Sequence, residues 1–380
     1  MNSAKFSEAG LSSQLVKALS QLGFDRMTAI QAASLSPLLA GKDVIGQSKT
    51  GSGKTLAFLL PVLQNANMAS RWPQALVLVP TRELCDQILR EAQKFSKHFP
   101  QFKIVSLVGG QPYPPQEEAL AQGVHLIVGT PGRTLEHFRN GKVKADSLRM
   151  LILDEADRLL EEGFAEEMKA IFDLLPRPRQ TIFFSATFPT AIEEFSQLYQ
   201  TNAVRITTQD DLNTVPAITQ YLYAAEKPDK LATLQQILKR HPSKCTLIFC
   251  RTKALVDEIG NALSGNEVKC EILHADLKQT ERDRVSKLFR SGNLNILVAT
   301  DVAARGLDID SLELVINVDL PSSADIYIHR IGRTGRAGRK GTAVSIATEY
   351  EIPLVAEIEK TTGIQFIRDK LDLTLPETLG

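Results

Sequence analysis

The sequence predicts an α/β protein of two halves, each a mainly parallel sheet with helices on both faces. Short, near-continuous apolar runs recur along the chain and alternate with stretches of helical periodicity, the pattern of strands buried on both sides. A polar segment closed by a proline interrupts this alternation in mid-chain, after which it begins again. The 380 residues are also long for a single hydrophobic core, at a prior of about 150 residues per domain.

Residues 1 to 40 read as helices, because Leu11, Leu15, Ala18, Leu19 and Leu22 fall on one helical face. The first strand opens at Asp43–Ile45, and further strands are expected at Ala75–Val79, Ile104–Val108, Val124–Val128, Met150–Leu153 and Thr181–Phe184. Residues 209–216 read as a linker, which gives domains of 1–208 and 217–380. The second half repeats the texture with strands at Thr219–Tyr223, Thr246–Phe249, Lys269–Leu273, Asn295–Val298, Leu314–Asn317 and Ala343–Ile346.

Lys+Arg and Asp+Glu both number 44, so any nucleic-acid contact must come from a local face rather than a bulk field. The four cysteines form no C-x-x-C pair and have no histidine at zinc spacing, so reduced thiols in a cytoplasmic protein are expected. No signal-peptide pattern and no apolar run of ~18 residues is present. Trp72 reads as a loop or rim residue, and Tyr113, set among prolines, as a stiffener of its turn.

In open α/β sheets ligands bind outside the carboxyl ends of the strands, and the unusual polar clusters fall there. Ser48, Lys49, Thr50, Gly51, Ser52, Gly53, Lys54 and Thr55 join the first strand to a helix start. Backbone N–H groups at such a junction can wrap a polyphosphate. Lys54 is expected to reach the outer phosphates and the Thr55 hydroxyl to hold Mg²⁺, although Ser48 stands where the usual loop has its first glycine. Asp154, Glu155, Ala156 and Asp157 follow a buried strand without a spacer. A carboxylate there can hold Mg²⁺ and its neighbour can accept a proton from water, so Asp154 is assigned to the metal and Glu155 to the general base. Pro80, Thr81 and Arg82, then Gly109 and Gly110, then Thr130, Pro131, Gly132 and Arg133 offer further backbone or helix N-termini. Three such junctions in one half suggest a track for a sugar-phosphate backbone.

Asp-Glu-Ala-Asp at 154–157 is the motif that names the DEAD-box RNA helicases, and the chain resembles that family from about Phe6 to Gly341. The resemblance implies two RecA-like domains, ATP with Mg²⁺, RNA held mainly through its backbone, and local unwinding of short duplexes or RNP remodelling by a monomer. Ser185-Ala186-Thr187 looks like the family motif that couples nucleotide to RNA, and with Asp157 and His329 it is expected to serve that coupling. Gly23 to Gln31 resembles the Q motif, which implies that Gln31 reads the adenine edge near Phe6 and Phe24; Met27 replaces the usual proline. His274-Ala275-Asp276 is similar to the family's His-Gly-Asp, and Gln279, Arg282 and Thr300 match its RNA-binding positions. Asp308 is expected at the ATP ribose. His329 to Gly341 carries Arg333 and Arg336 where the family has arginine fingers, a feature worth ~10³ to 10⁵ in rate. Read from its residues alone, that segment could equally be a solvated basic loop or a loose RNA binder.

The residues leave open a DNA translocase or an ATP-gated RNA clamp, and only the resemblance selects an RNA helicase. Within the family, residues 27–33 and 109–112 look most like the bacterial DbpA group, which acts in assembly of the large ribosomal subunit. That group carries an RNA-recognition domain beyond the core; this sequence stops at Gly380, too early for one, and is expected to be either a piece of a longer protein or a core without that device.

Overall fold

A computed structural model describes residues 4–48, 51–95, 97–161, 163–208, 218–264, 269–304, 312–335 and 341–369. Lys49, Thr50, Asp308, Arg336 and the expected linker 209–216 therefore lie outside the described residues. The chain divides into two compact units, Met1–Asn213 and Thr214–Gly380.

In the first unit seven strands form one all-parallel sheet: β1 (Val44–Gln47), β2 (Ala75–Leu78), β3 (Ile104–Leu107), β4 (Leu126–Gly129), β5 (Met150–Asp154), β6 (Gln180–Ser185) and β7 (Val204–Thr207). Their order is β3-β4-β2-β5-β6-β1-β7. Successive side chains of a strand point to opposite faces. Met150 and Ile152 of β5 accordingly join the core on one side of the sheet, and Leu151 and Leu153 the core on the other. Each face is buried under helices, which is why the strands read as unbroken apolar runs. The helices that matter for the site are α1 (Ser13–Gln21), α2 (Ala29–Leu39), α3 (Lys54–Asn65), α4 (Arg82–Lys94), α5 (Tyr113–Ala121), α6 (Pro131–Arg139) and α7 (Ala156–Glu161).

The second unit is a second all-parallel sheet: β8 (Ile218–Ala224), β9 (Thr246–Cys250), β10 (Cys270–Leu273), β11 (Ile296–Thr300), β12 (Leu314–Asn317), β13 (Gly341–Ala347) and β14 (Ile367–Asp369). Its order, β10-β11-β9-β12-β13-β8-β14, is that of the first sheet displaced by seven strands. The two units share one topology.

β7 and β14 are the strands the sequence reading missed. Both lie at a sheet edge and are largely exposed, so neither presents a continuous apolar run. Burial holds the thiols of all four cysteines up, Cys245 to about 11, Cys270 to about 12, and Cys85 and Cys250 further. Among the described residues no helix is long and apolar enough to cross a membrane.

Candidate functional site

Strand order decides which polar clusters meet. β5, β6 and β1 are consecutive neighbours, and β3, β4 and β2 are the next group along. The first group carries the Gly-Lys-Thr loop, the acidic cluster and Ser-Ala-Thr. The second carries the three junctions read as a backbone track.

In the first group Ser48 is buried, and its N–H donates to the Ser185 carbonyl at 3.0 Å. Lys54 starts α3 and is buried, and its Nζ donates to the Ser48 carbonyl at 2.6 Å. Gly53 caps that helix with φ +95°, a conformation that disfavours a side chain. A Cβ there would also collide with the Gln31 amide.

Gln31 is itself occupied. Its Oε1 accepts from the Thr28 N–H at 2.9 Å and its Nε2 donates to the Gly53 carbonyl at 3.0 Å. The amide thus closes a capping box on α2 and ties that helix to the loop. Reading adenine with both faces of the amide would require exchanging both bonds. Phe6 is 2% exposed, so in this conformation its ring is core rather than open aromatic surface, while Phe24 is partly buried. Met27 makes a bond that the usual proline could not, its N–H donating to the Ala4 carbonyl at 2.8 Å.

Asp154 is buried at the end of β5, and burial pushes its carboxyl up to about 6 against the opposing pull of Lys54. One of its oxygens accepts from the Glu155 N–H at 3.0 Å. The Ser52 hydroxyl, also buried, has no hydrogen-bond partner among the described residues. An under-neutralised carboxylate and an orphaned hydroxyl beside a lysine suit a phosphate chain with a hard cation. Among the described residues no three acidic, histidine or cysteine groups cluster as a metal cage.

Asp157 connects this group internally. Its N–H donates to Ser185 Oγ at 3.1 Å, and its Oδ2 accepts from the Thr187 N–H at 2.9 Å and hydroxyl at 2.8 Å. Glu155 adopts φ +53° and lies 3.2 Å from the Arg158 guanidinium.

Along β3, β4 and β2, the Thr81 side chain caps α4 by accepting from the Leu84 N–H at 3.2 Å. The Arg82 guanidinium lies against Gly110, where any Cβ would strike it. Arg133 is engaged at the surface: Nε donates to Glu136 at 3.0 Å, Nη1 donates to the Gln111 carbonyl at 3.0 Å, and the guanidinium sits 4.4 Å from the centre of the Tyr113 ring. Tyr113 in turn packs on His137 at 4.6 Å and donates to Glu136 at 2.9 Å. It braces the first turn of α5 against α6, and the sequence-level reading as a turn stiffener extends to both helices.

In the second unit, Gln279 and Arg282 share the first turn of the helix Gln279–Arg290, with Arg282 donating to Gln279 at 3.3 Å. Thr300 ends β11. His274 is buried and contacts Asp257 at 3.1 Å. His329 lies in the last turn of the helix Ala324–Ile331, and Arg333, just beyond it, is buried. The sequence reading missed Arg330, which makes a bidentate pair with Asp301 at 2.6 and 2.7 Å and donates to Asn317 at 3.0 Å. An arginine in the last turn of a helix carries no local sign of a partner 29 residues away.

A phosphate loop, an acidic strand end and the Ser185 and Thr187 hydroxyls at the end of the strand between them define an ATP-hydrolysing protein of the P-loop class. The DEAD/DEAH box helicase family matches residues 28–195, and the family of helicase conserved C-terminal domains matches residues 229–338. The chain is 44% identical over 334 residues to the ATP-dependent RNA helicase DbpA of Escherichia coli K12, covering 88% of this chain and 73% of that protein. It is 39% identical to the DEAD-box ATP-dependent RNA helicase CshA of Geobacillus kaustophilus, covering 98% and 79%. The structure of Dbp5 of Saccharomyces cerevisiae bound to RNA and ADP BeF3 superposes with a TM-score of 0.88 at 33% identity, covering 97% of this chain and 96% of that one. The chain belongs to the DEAD-box ATP-dependent RNA helicases, with two RecA-like domains. It uses ATP and acts on RNA.

Proposed function

We propose that the nucleotide machinery is Lys54 with the 48–55 loop on the phosphates, Glu155 as general base for the attacking water, and Gln31, Phe6, Phe24 and Asp308 around the nucleoside. Asp154 and the Thr55 hydroxyl would hold Mg²⁺, which when bound neutralises charge on the phosphate oxygens. The bond network from Ser185 and Thr187 to Asp157 supports this reading most, because it links the acidic strand end to a motif on the neighbouring strand. Asp157, Ser185, Thr187 and His329 then couple the two substrates.

RNA runs along Pro80 to Arg82, Gly109, Gly110 and Thr130 to Arg133 of the first unit and Gln279, Arg282 and Thr300 of the second. Contacts fall on phosphates and 2′-hydroxyls, with little sequence preference. Arg333 and Arg336 act as fingers on the γ-phosphate, so hydrolysis depends on association of the two units and unwinding stays local. The reading places a monomer in the cytoplasm, and the likeness to DbpA favours ribosomal RNA as its target. Steady-state ATP hydrolysis with and without single-stranded RNA, and with DNA of equal sequence and salt, tests it. Strong stimulation by RNA alone is expected; equal stimulation by DNA would remove the RNA assignment.

A further inference from the structure

We propose that Arg158 is a positioning residue that latches the Glu155 carboxylate in a resting place until the Ser-Ala-Thr segment rearranges. The inference rests on the reading of Glu155 as the base, and the structure supports it in three ways.

First, the pair is enclosed: the Arg158 side chain is 4% exposed and that of Glu155 12%. Among the described residues Glu155 is the one side-chain partner of Arg158 within ion-pair distance. A buried guanidinium needs a counter-charge, so this carboxylate is committed to it. A base must come within about 2.6–3.2 Å of the group it deprotonates, and the Glu155 oxygen that faces Arg158, Oε2, is not open to a water while that contact lasts.

Second, the contact is one that can be exchanged. At 3.2 Å, Arg158 Nη1 nevertheless makes no aligned hydrogen bond among the described residues, unlike the bidentate Arg330–Asp301 pair of the second unit. Glu155 also holds a left-handed backbone conformation, φ +53°, of a kind that persists only where its surroundings impose it.

Third, the latch is wired to the coupling motif. The Arg158 N–H donates to Asp157 Oδ1 at 3.0 Å, while Oδ2 of the same carboxylate accepts from Thr187. A shift of Thr187 therefore reaches the Arg158 backbone through one side chain.

The test compares ATP hydrolysis by wild type, Arg158→Met, Arg158→Gln and Arg158→Lys, without RNA and at saturating polyuridylate, alongside melting temperature. If Arg158 is a latch, the neutral variants raise RNA-independent kcat about threefold or more, with KM for ATP and the RNA-saturated kcat within about twofold of wild type. Stimulation by RNA falls, and Arg158→Lys restores it. A loss of kcat in both conditions would mean that Arg158 aims Glu155 for attack, and an unchanged stimulation ratio would mean that it does nothing; either overturns the latch. Arg158→Gln, similar in length and still a donor, carries the test if Arg158→Met does not fold. Adding Glu155→Gln to Arg158→Met separates the two readings, because hydrolysis that survives it removes Glu155 as base whatever the latch result.

Discussion

At single residues, the geometry turns familiar motif letters into contacts with measurable consequences. Gln31 joins the start of α2 to the carbonyl of Gly53, so Gln31→Ala removes a cap partner and a loop tie together. A loss of about 1–2 kcal/mol in chemical denaturation is expected, with a raised KM for ATP. A raised KM without loss of stability would show that the amide serves nucleotide alone. Glu155→Gln is expected to lower kcat by about 10²-fold or more with nucleotide and RNA still bound. Because Arg158 would lose its counter-charge, the same variant should also melt earlier. Neither partnership was legible in the sequence, since the motif Asp-Glu-Ala-Asp ends one residue before Arg158 and the Q motif names Gln31 without naming Gly53.

At the level of elements, what could be read was whatever makes a continuous apolar run. Twelve strands were expected in roughly their observed places, because sheets covered on both faces bury every position of a central strand. An edge strand with mostly exposed side chains escapes that rule, and β7 and β14 were missed for that reason, while the edge strands β3 and β10 were read. Side-chain networks between strand ends escape it too. Lys230 Nζ donates to the Val318 carbonyl at 2.8 Å and to Asp319 at 2.9 Å, and Glu351 lies 3.4 Å away. Burial raises the Asp319 carboxyl, but the Arg251 N–H and Lys230 outweigh it and hold its pKa below the ordinary 3.8. A carboxyl depressed in the folded state adds stability that is present above its unfolded value and lost as pH falls through its folded one. Asp319→Asn is thus expected to destabilise the second unit by about 1–3 kcal/mol at neutral pH. The gap from wild type should shrink only below about pH 4, and urea titrations across that range would show it; a gap constant down to lower pH would contradict the ion pair.

Across the whole molecule, one strand order is used twice with different ends. Lys54 follows β1 and Asp154 ends β5; in the second unit Lys230 and Asp319 fall after the corresponding strands, β8 and β12. There the lysine and aspartate bind each other directly, whereas Lys54 is bonded to the loop carbonyl of Ser48. The fold repeats; the chemistry does not. Charge balance also acts at this scale. With 44 basic and 44 acidic residues, affinity for RNA has no bulk field behind it. Each phosphate contact should contribute about 0.7 to the slope of log affinity against log salt for a single strand. Arg82→Ala is expected to reduce the slope by about that amount and to weaken all sequences alike, as fluorescence anisotropy across salt would show. A sequence-dependent loss would mean that Arg82 touches bases.

The protonated thiols have a practical bearing. Alkylating dyes attack thiolates, and with Cys245 and Cys270 held at about 11 and 12 and the other two higher, the native cysteines should label slowly near neutral pH. One cysteine added on the surface of each unit would then take up a donor and acceptor pair ahead of them. Single molecules could be followed through a full catalytic cycle on an otherwise native chain.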